Sequence, residues 1–308
     1  MTFTLNLSNN QIEILISKYS EYNIPYDNNY TLFRAKIKST TLTIYKTGKV
    51  LLQGNDCSSL YKEICLLLSI DFVLDEQKES KENKVIIGKS ILGTDEVGTG
   101  DYFGGIVVCA CYVPNDKILE LTKKGIKDSK LLSDDKIISL AKELIDKIDH
   151  SVLLLNNVKY NQIINDENMN LNKIKAILHN KVIVNFINKY PAIKPDDIVI
   201  DGFCDEHKYK EYIKNIKSTV NNVKLIEKAE SKYISVAVAS IIARYYFLKH
   251  LDDLSIKCGY TLLKGASNKV DSLARKIINE KGIDFLYNIA KMNFKNTKKA
   301  KGEINETI

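Results

Sequence analysis

Apolar positions recur along this chain with two different periods, and the periods mark out its elements. Near the start, "SNNQIEILISKYSEY" puts Ile12, Leu15, Ile16 and Tyr19 on one helical face behind a capping-type Ser/Asn cluster. The period then drops to two through "LFRAKIKS", "TLTIYK", a Thr47-Gly48 turn and "KVLLQG", which predicts antiparallel strands. Phe33, Ala35, Ile37, Leu42, Ile44, Val50 and Leu52 would share one sheet face. Arg34, Lys36, Lys38, Thr41, Thr43, Tyr45, Lys49 and Gln53 would fill most of the other. The helix predicted at "SSLYKEICLLLSI" can cover the apolar face, giving a small α+β module with a polar, basic open face. On pattern alone such a face reads first as a solvated surface, common on antiparallel sheets, and only second as a platform for a phosphate backbone.

A charged run without core residues, "LDEQKESKENK", separates this module from the rest, so residues 75–84 read as a linker between a domain at 1–74 and another at 85–308. Beyond it, strands are predicted at "VIIGKSILGTDE", "GGIVVCACYV", "SVLLLNN", "DIVIDGF" and near "VKLIEKA". Long helices are predicted at "SDDKIISLAKELIDKI", "NKIKAILHNKVIVNFINKY", "KYISVAVASIIARYYFLKHL" and "VDSLARKIINEKG", and the lysine-rich "KNTKKAKGEI" reads as a frayed tail. Near-continuously apolar strands among long helices predict an α/β fold: a central mixed sheet with helices on its faces.

Composition narrows the function classes only a little. With 308 residues, 44% hydrophobic and 27% charged, the chain has material for two compact cores. The net charge of +7, with nearly all of the positive charge on lysine, favours an anionic polymer as partner. Six cysteines without a C-x-x-C pair imply reduced thiols in a cytosol and no zinc site. No secretory leader is visible at "MTFTLNLSNN", and the apolar runs look too short for a bilayer, so a cytoplasmic lone chain is expected. Two phosphate-binding motifs fail on inspection. "GKS" at Gly88–Ser90 lacks the glycine that a P-loop needs at position 83, which is Asn. Gly98-x-Gly100 lacks the third glycine of a dinucleotide fingerprint, because position 103 is Phe. The four histidines show no metal-ligand spacing.

What remains is a set of acids at strand ends. Asp95 and Glu96 sit between an apolar strand and a glycine-studded turn in "GTDEVGTGDYFGGIVV". Asp201 ends the strand "IVIDG", and Glu230 follows a third strand-like run. Adjacent strand residues point to opposite faces, so Asp95 and Glu96 can share a site only if the backbone turns, a freedom Gly98 and Gly100 supply. Four converging carboxylates tolerate one another only around hard cations, and all-oxygen ligation suits Mg²⁺ or Mn²⁺. Two such ions can drive phosphodiester hydrolysis. For Glu230 alone, just before a helix, a capping or ion-pair role is the favoured reading.

At these residues the chain closely resembles bacterial ribonuclease HIII. "GTDEVGTGDYFGGIVV", "KDSKLLS", "NMNLNKIKAILHN", "VIDGF", "KAESKYISVAVASIIAR" and "LLKGASNKVD" occur in family order, and "TIYKTGKVLLQG" resembles the family's TATA-binding-protein-like N-terminal domain. The resemblance implies an RNase H-like mixed five-stranded sheet with flanking helices after that small α+β domain. It implies an endoribonuclease that cuts the RNA strand of RNA/DNA hybrids, leaving 5′-phosphate and 3′-hydroxyl ends. The four metal-binding acids map onto Asp95, Glu96, Asp201 and Glu230, holding two Mg²⁺ or Mn²⁺ ions. Substrate contacts map onto Gly98, Thr99 and Gly100, whose backbone would approach 2′-hydroxyls, and onto Ser129 and Lys130 as phosphate contacts. Tyr45, Lys46, Lys49 and Gln53 are the candidates on the N-terminal sheet. Thr99 stands where the related ribonuclease HII carries an arginine, and Gly105 stands where relatives usually have proline, which would loosen the turn. The alternatives are a structure-selective DNA nuclease on the same fold and a non-catalytic hybrid-binding protein.

Overall fold

The structure, a computed structural model, describes residues 2–26, 28–54, 56–68, 85–126 and 132–303. It divides into two compact units, residues 1–79 and 80–308. The expected linker at 75–84 lies outside the described residues.

The first unit is built on a four-stranded antiparallel sheet in the order β1-β4-β3-β2. Its strands are β1 (Thr2–Asn6), β2 (Thr31–Ile37), β3 (Thr40–Tyr45) and β4 (Lys49–Gly54). Strand β1 was not expected from the sequence; it pairs along β4, with Phe3 opposite Leu52 and Leu5 opposite Val50. The alternation sorts side chains as the sequence predicts: Phe33, Ala35, Leu42, Ile44, Val50 and Leu52 are buried. They pack under two helices, Asn9–Tyr19 and Cys57–Leu67, through Ile12, Leu15, Leu60 and Ile64. The opposite face runs Lys36, Thr41 and Gln53 in one row and Arg34, Thr43 and Leu51 in the next.

The second unit centres on a five-stranded mixed sheet, β7-β6-β5-β8-β9. Strands β5 (Ile91–Val97), β6 (Ile106–Val113) and β7 (His150–Leu155) run antiparallel, while β8 (Asp197–Asp201) and β9 (Lys224–Ile226) lie parallel to β5. Strand β5 is shorter than the run "VIIGKSILGTDE" suggests, because residues 85–90 stay irregular. The helix Ile234–Cys258 covers one sheet face and the helix Leu171–Lys189 the other, each with its own apolar cluster. Contact with the first of these is very close at Gly93, where a Cβ would fall 2.4 Å from Val236 N. Any other residue there would push the helix off the strand that carries Asp95. That helix is long and apolar enough by length and composition to cross a bilayer, yet much of it, from Ile234 through Ile242 to Leu254, is buried in the protein core.

The C-terminal end corrects the sequence reading. "KNTKKA" is a helix, Lys295–Ala300, with Asn296, Thr297 and Ala300 buried. It docks through polar contacts: Asn296 Nδ2 donates to the buried Asp271 Oδ1 at 2.5 Å, and Thr297 Oγ1 meets Tyr102 OH at 2.9 Å. These partners are remote in sequence, so a run read for apolar periodicity looks frayed. Gly105 also departs from expectation. A Cβ there would lie 2.2 Å from Leu155 O, so the turn is tightly packed against β7.

Candidate active site

The two acids of β5 point to opposite faces, as an extended strand requires. Asp95 is 7% exposed and accepts a hydrogen bond from Ser240 on the helix Ile234–Cys258. Glu96 turns to the other helix: Lys175 Nζ lies 2.5 Å from Oε1, and His179 Nε2 lies 2.9 Å from Oε2. Lys175 and His179 are four residues apart on a helix whose start is fixed by the Asn170 cap, so they share a face. The fully buried His179 ring is held at its other nitrogen by Thr94 Oγ1, 2.8 Å away. Phe203, just past Asp201, stacks on this ring at 5.5 Å and lies under the Lys175 ammonium at 4.3 Å.

Despite their opposite directions, both acids reach one cavity, because the chain turns sharply beyond them. Gly98 takes φ +100°, and a Cβ on it would collide with Gly105 O at 2.4 Å. The cavity, about 480 Å³, is lined by Asp95, Glu96, Val97, Gly98, Thr99, Gly100, Asp101, Asp201, Ser240 and Arg244, among others. Nothing lies within 4 Å of a Cβ built on Gly100, so its backbone is open to an approaching molecule.

Asp201 is brought in by β8, parallel to β5, whose end accepts the Ala229 N–H at 2.8 Å through Oδ1. Lys228 adopts a left-handed conformation (φ 54°, ψ 40°), a cost of roughly 1 kcal/mol for a residue with a side chain. That turn carries Ala229 to Asp201 and buries Glu230, which is 6% exposed, in the short helix Ala229–Ser231. Glu230 is therefore tied through its neighbour to Asp201, and it is absent from the residues that line the cavity.

Electrostatics couple the acids. Burial pushes the Asp95 carboxyl well above the ordinary range, and the charges of Glu96 and Asp201 push it further. For Glu96 burial also acts upward and is the largest single influence, but His179 and Lys175 together outweigh it and hold the group below its ordinary value. The donor set is carboxylate oxygen throughout, and the mutual strain at Asp95 is of the kind a hard dication relieves. Among the described residues no three His, Cys, Asp or Glu side chains are already gathered closely enough to hold a metal ion. The set fits Mg²⁺ or Mn²⁺ by the chemistry of its donors.

Several lining residues escaped the sequence reading. Ser240 and Arg244 are polar positions one turn apart in the apolar run "SVAVASIIAR", and that spacing was the available signal. Arg244 Nη2 donates to Asp134 Oδ1 at 2.6 Å, and Lys264 binds the other oxygen of the same carboxylate. Lys175 and His179 carried no signal, since their partner Glu96 is some 80 residues away (|i−j| = 83 for His179). Ser129 and Lys130 lie outside the described residues. In the first unit Tyr45 is half-buried, whereas Lys46, Lys49 and Gln53 are exposed.

Comparison with known proteins places this architecture. Residues 92–297 match the family described as Ribonuclease HII, and residues 2–63 match a domain of unknown function, DUF3378. The ribonuclease HIII of Lactococcus lactis is 38% identical over 301 residues, covering 97% of this chain and 98% of the relative. That of Streptococcus gordonii is 40% identical, with 97% of both chains covered. Among solved structures, Bst-RNase HIII in complex with Mn²⁺ superposes with TM-score 0.68 at 34% identity, covering 98% of this chain and 99% of that one. Aquifex aeolicus RNase H3 gives TM-score 0.52 at 25% identity over 94% of this chain and 99% of its own. With the second unit matched over residues 92–297 and ribonucleases HIII matched over 97% of the chain, the chain belongs to the ribonuclease HII/HIII family of metal-dependent ribonucleases H, on its HIII side.

Proposed function

We propose that this protein hydrolyses the RNA strand of RNA/DNA hybrids at the cavity between β5 and β8, leaving 5′-phosphate and 3′-hydroxyl ends. The observation that carries the proposal is the meeting of Asp95, Glu96 and Asp201 at one cavity whose wall includes the backbone of Gly98–Gly100. Asp95, Glu96, Asp201 and the adjoining Glu230 would hold Mg²⁺ or Mn²⁺. Two bound ions would supply activation of the attacking water and stabilisation of the departing 3′-oxygen.

The chain's own side chains do the arranging. Ser240 orients Asp95, while His179 and Lys175 orient Glu96, so each carboxylate is held fixed where it lines the cavity. The turn at Ala229 fixes Asp201 in the same way. Gly98, Thr99 and Gly100 lie where backbone groups can meet 2′-hydroxyls, which distinguish RNA from DNA. Arg244, also in the lining, offers a planar cation suited to a backbone phosphate. Ser129 and Lys130 would add phosphate contacts.

Residues 1–74 would act as a substrate-binding domain joined by a 75–84 linker to the catalytic domain at 85–308. Tyr45, Lys46, Lys49 and Gln53 would grip the hybrid from the open sheet face, raising affinity by tethering. The enzyme would work in the cytoplasm as a single chain. The test is cleavage of an end-labelled RNA/DNA hybrid beside an all-DNA duplex of the same sequence, in Mg²⁺ and in Mn²⁺. Cuts confined to the RNA strand and lost in EDTA support the proposal. Cleavage of the DNA duplex, or binding without cleavage in either metal, would replace it.

A further inference from the structure

Lys291 sits between the helices Ile283–Ile289 and Lys295–Ala300 and is completely buried. A lysine in a core needs acceptors for its N–H groups, and here a single loop provides them. Nζ donates to Asp101 O at 2.7 Å and to Gly104 O at 2.5 Å, and the Lys291 backbone N–H donates to Tyr102 O at 2.9 Å. The strap is reciprocated: Gly104 N–H donates to Ile289 O at 2.9 Å. The segment that carries Lys291 is itself anchored. Asn161 Nδ2 donates to the carbonyls of Tyr287 and Ala290, and Asn161 Oδ1 accepts the Met292 N–H, all at 2.9 Å.

The strapped residues are the rear of the glycine loop whose front lines the carboxylate cavity. Asp101 belongs to both. Its carbonyl is held by Lys291, and its Oδ1 accepts the Gly265 N–H at 2.6 Å. We propose that Lys291 is a positioning residue for the cleavage reaction, a buried strut that fixes Gly98–Asp101 against the catalytic carboxylates. This rests on the reading of the cavity as the active site.

A purely structural core position has no use for a lysine. Methionine would fill the space without desolvating an amine, but it would take from Asp101 O its lysine donor and leave Gly104 O with Asn157 Nδ2, 2.9 Å away, as its remaining side-chain donor. Burial lowers the proton affinity of the amine to about 7, against a smaller upward pull from Asp101. Its neutral form still has two N–H groups, one for each carbonyl.

Two variants test the strut: Lys291→Met, which removes both donors, and Lys291→Gln, which keeps two N–H groups on a shorter stem. For Lys291→Met, kcat on an RNA/DNA hybrid should fall roughly 10–100-fold with KM within about threefold, because a sub-ångström drift of the wall misplaces the bound strand. Lys291→Gln should recover part of that loss. Native-state hydrogen exchange should accelerate by about tenfold or more at the amides of 98–105, leaving those of the helix Leu171–Lys189 unchanged. An unchanged kcat, or exchange rising equally in loop and helix, would overturn the proposal. Should neither variant fold, the wild-type protein decides: amides of 98–105 and of 289–291 must open together, and independent openings contradict the strut. Failure of the active-site reading would show separately, as undiminished cleavage by Asp95→Asn.

Discussion

His179 Nε2 and Glu96 Oε2 meet across 2.9 Å, and the ring that makes this contact is fully buried and held from behind by Thr94. A carboxylate oriented through a braced imidazole is arranged as metal ligands usually are, with the outer partner setting the geometry of the inner one. Truncating His179 to Ala should therefore lower Mn²⁺ affinity by about 10–100-fold. Calorimetric titration of the metal into Thr94→Val, which removes only the brace behind the ring, should give a smaller loss. Equal Mn²⁺ affinity in wild type and His179→Ala would remove Glu96 from the ligand set.

The C-terminal helix owes its place to a buried carboxylate. Asp271 is 0% exposed and is met by Asn296 at 2.5 Å and by Lys299 at 3.1 Å. Replacing Asn296 with Ala leaves that oxygen without its amide and should cost about 1–3 kcal/mol. Urea unfolding reports it as a lowered midpoint at constant slope.

Lys291 also predicts how stability depends on pH. Its proton affinity is lowered on folding from an ordinary 10.5 to about 7 by burial, with Asp101 opposing. Between these values the unfolded chain holds the proton and the folded chain does not, so stability rises with pH. Below about 7 the cost is fully present. Relative to Lys291→Met, the wild type should gain up to about 1.4 kcal/mol per pH unit from 7 to 9. His250 and Tyr160 also face Lys291: burial lowers the pKa of His250 and raises that of Tyr160, whose ring lies 5.8 Å from the amine, so both are uncharged across this window. Parallel denaturation curves at pH 7, 8 and 9 check the sign; a flat difference would mean that the amine keeps its proton.

On the N-terminal sheet, Lys49 is exposed at the start of β4, beside the row that carries Leu51. If this face holds the hybrid backbone, Lys49→Ala should weaken binding for every sequence alike and reduce the salt slope by about 0.9. Fluorescence anisotropy at several salt concentrations measures both. An unchanged slope would return the face to ordinary solvated surface.

Legibility in the sequence followed the range of the forces involved. Period-two alternation sorted Leu42, Ile44, Val50 and Leu52 from Thr41, Lys49 and Gln53 because strand side chains answer to local geometry. Asp95 and Asp201 stood out since a carboxylate at the end of an apolar strand has no local reason to be there. The brace on Glu96, the Ser240 and Arg244 positions, the strut at Lys291 and the docking of Asn296 were not read. Each depends on a partner brought close only by the fold, as with Lys291 and Gly104, 187 residues apart. Strand β1 is faint in the sequence for another reason: a five-residue segment ahead of a strong helix signal has too few periods to register, although Phe3 and Leu5 alternate as a strand should.

The central claim is that carboxylates from β5 and β8 act together on the RNA strand. The most direct measurement is single-turnover cleavage of an RNA/DNA hybrid by Asp95→Asn and by Asp201→Asn in saturating Mn²⁺, with hybrid affinity measured on the same preparations. Both variants should bind the hybrid about as tightly as wild type and cleave it at least roughly 10³-fold more slowly, a loss of some 4 kcal/mol of transition-state stabilisation. Cleavage by either variant at near wild-type rate would contradict the account.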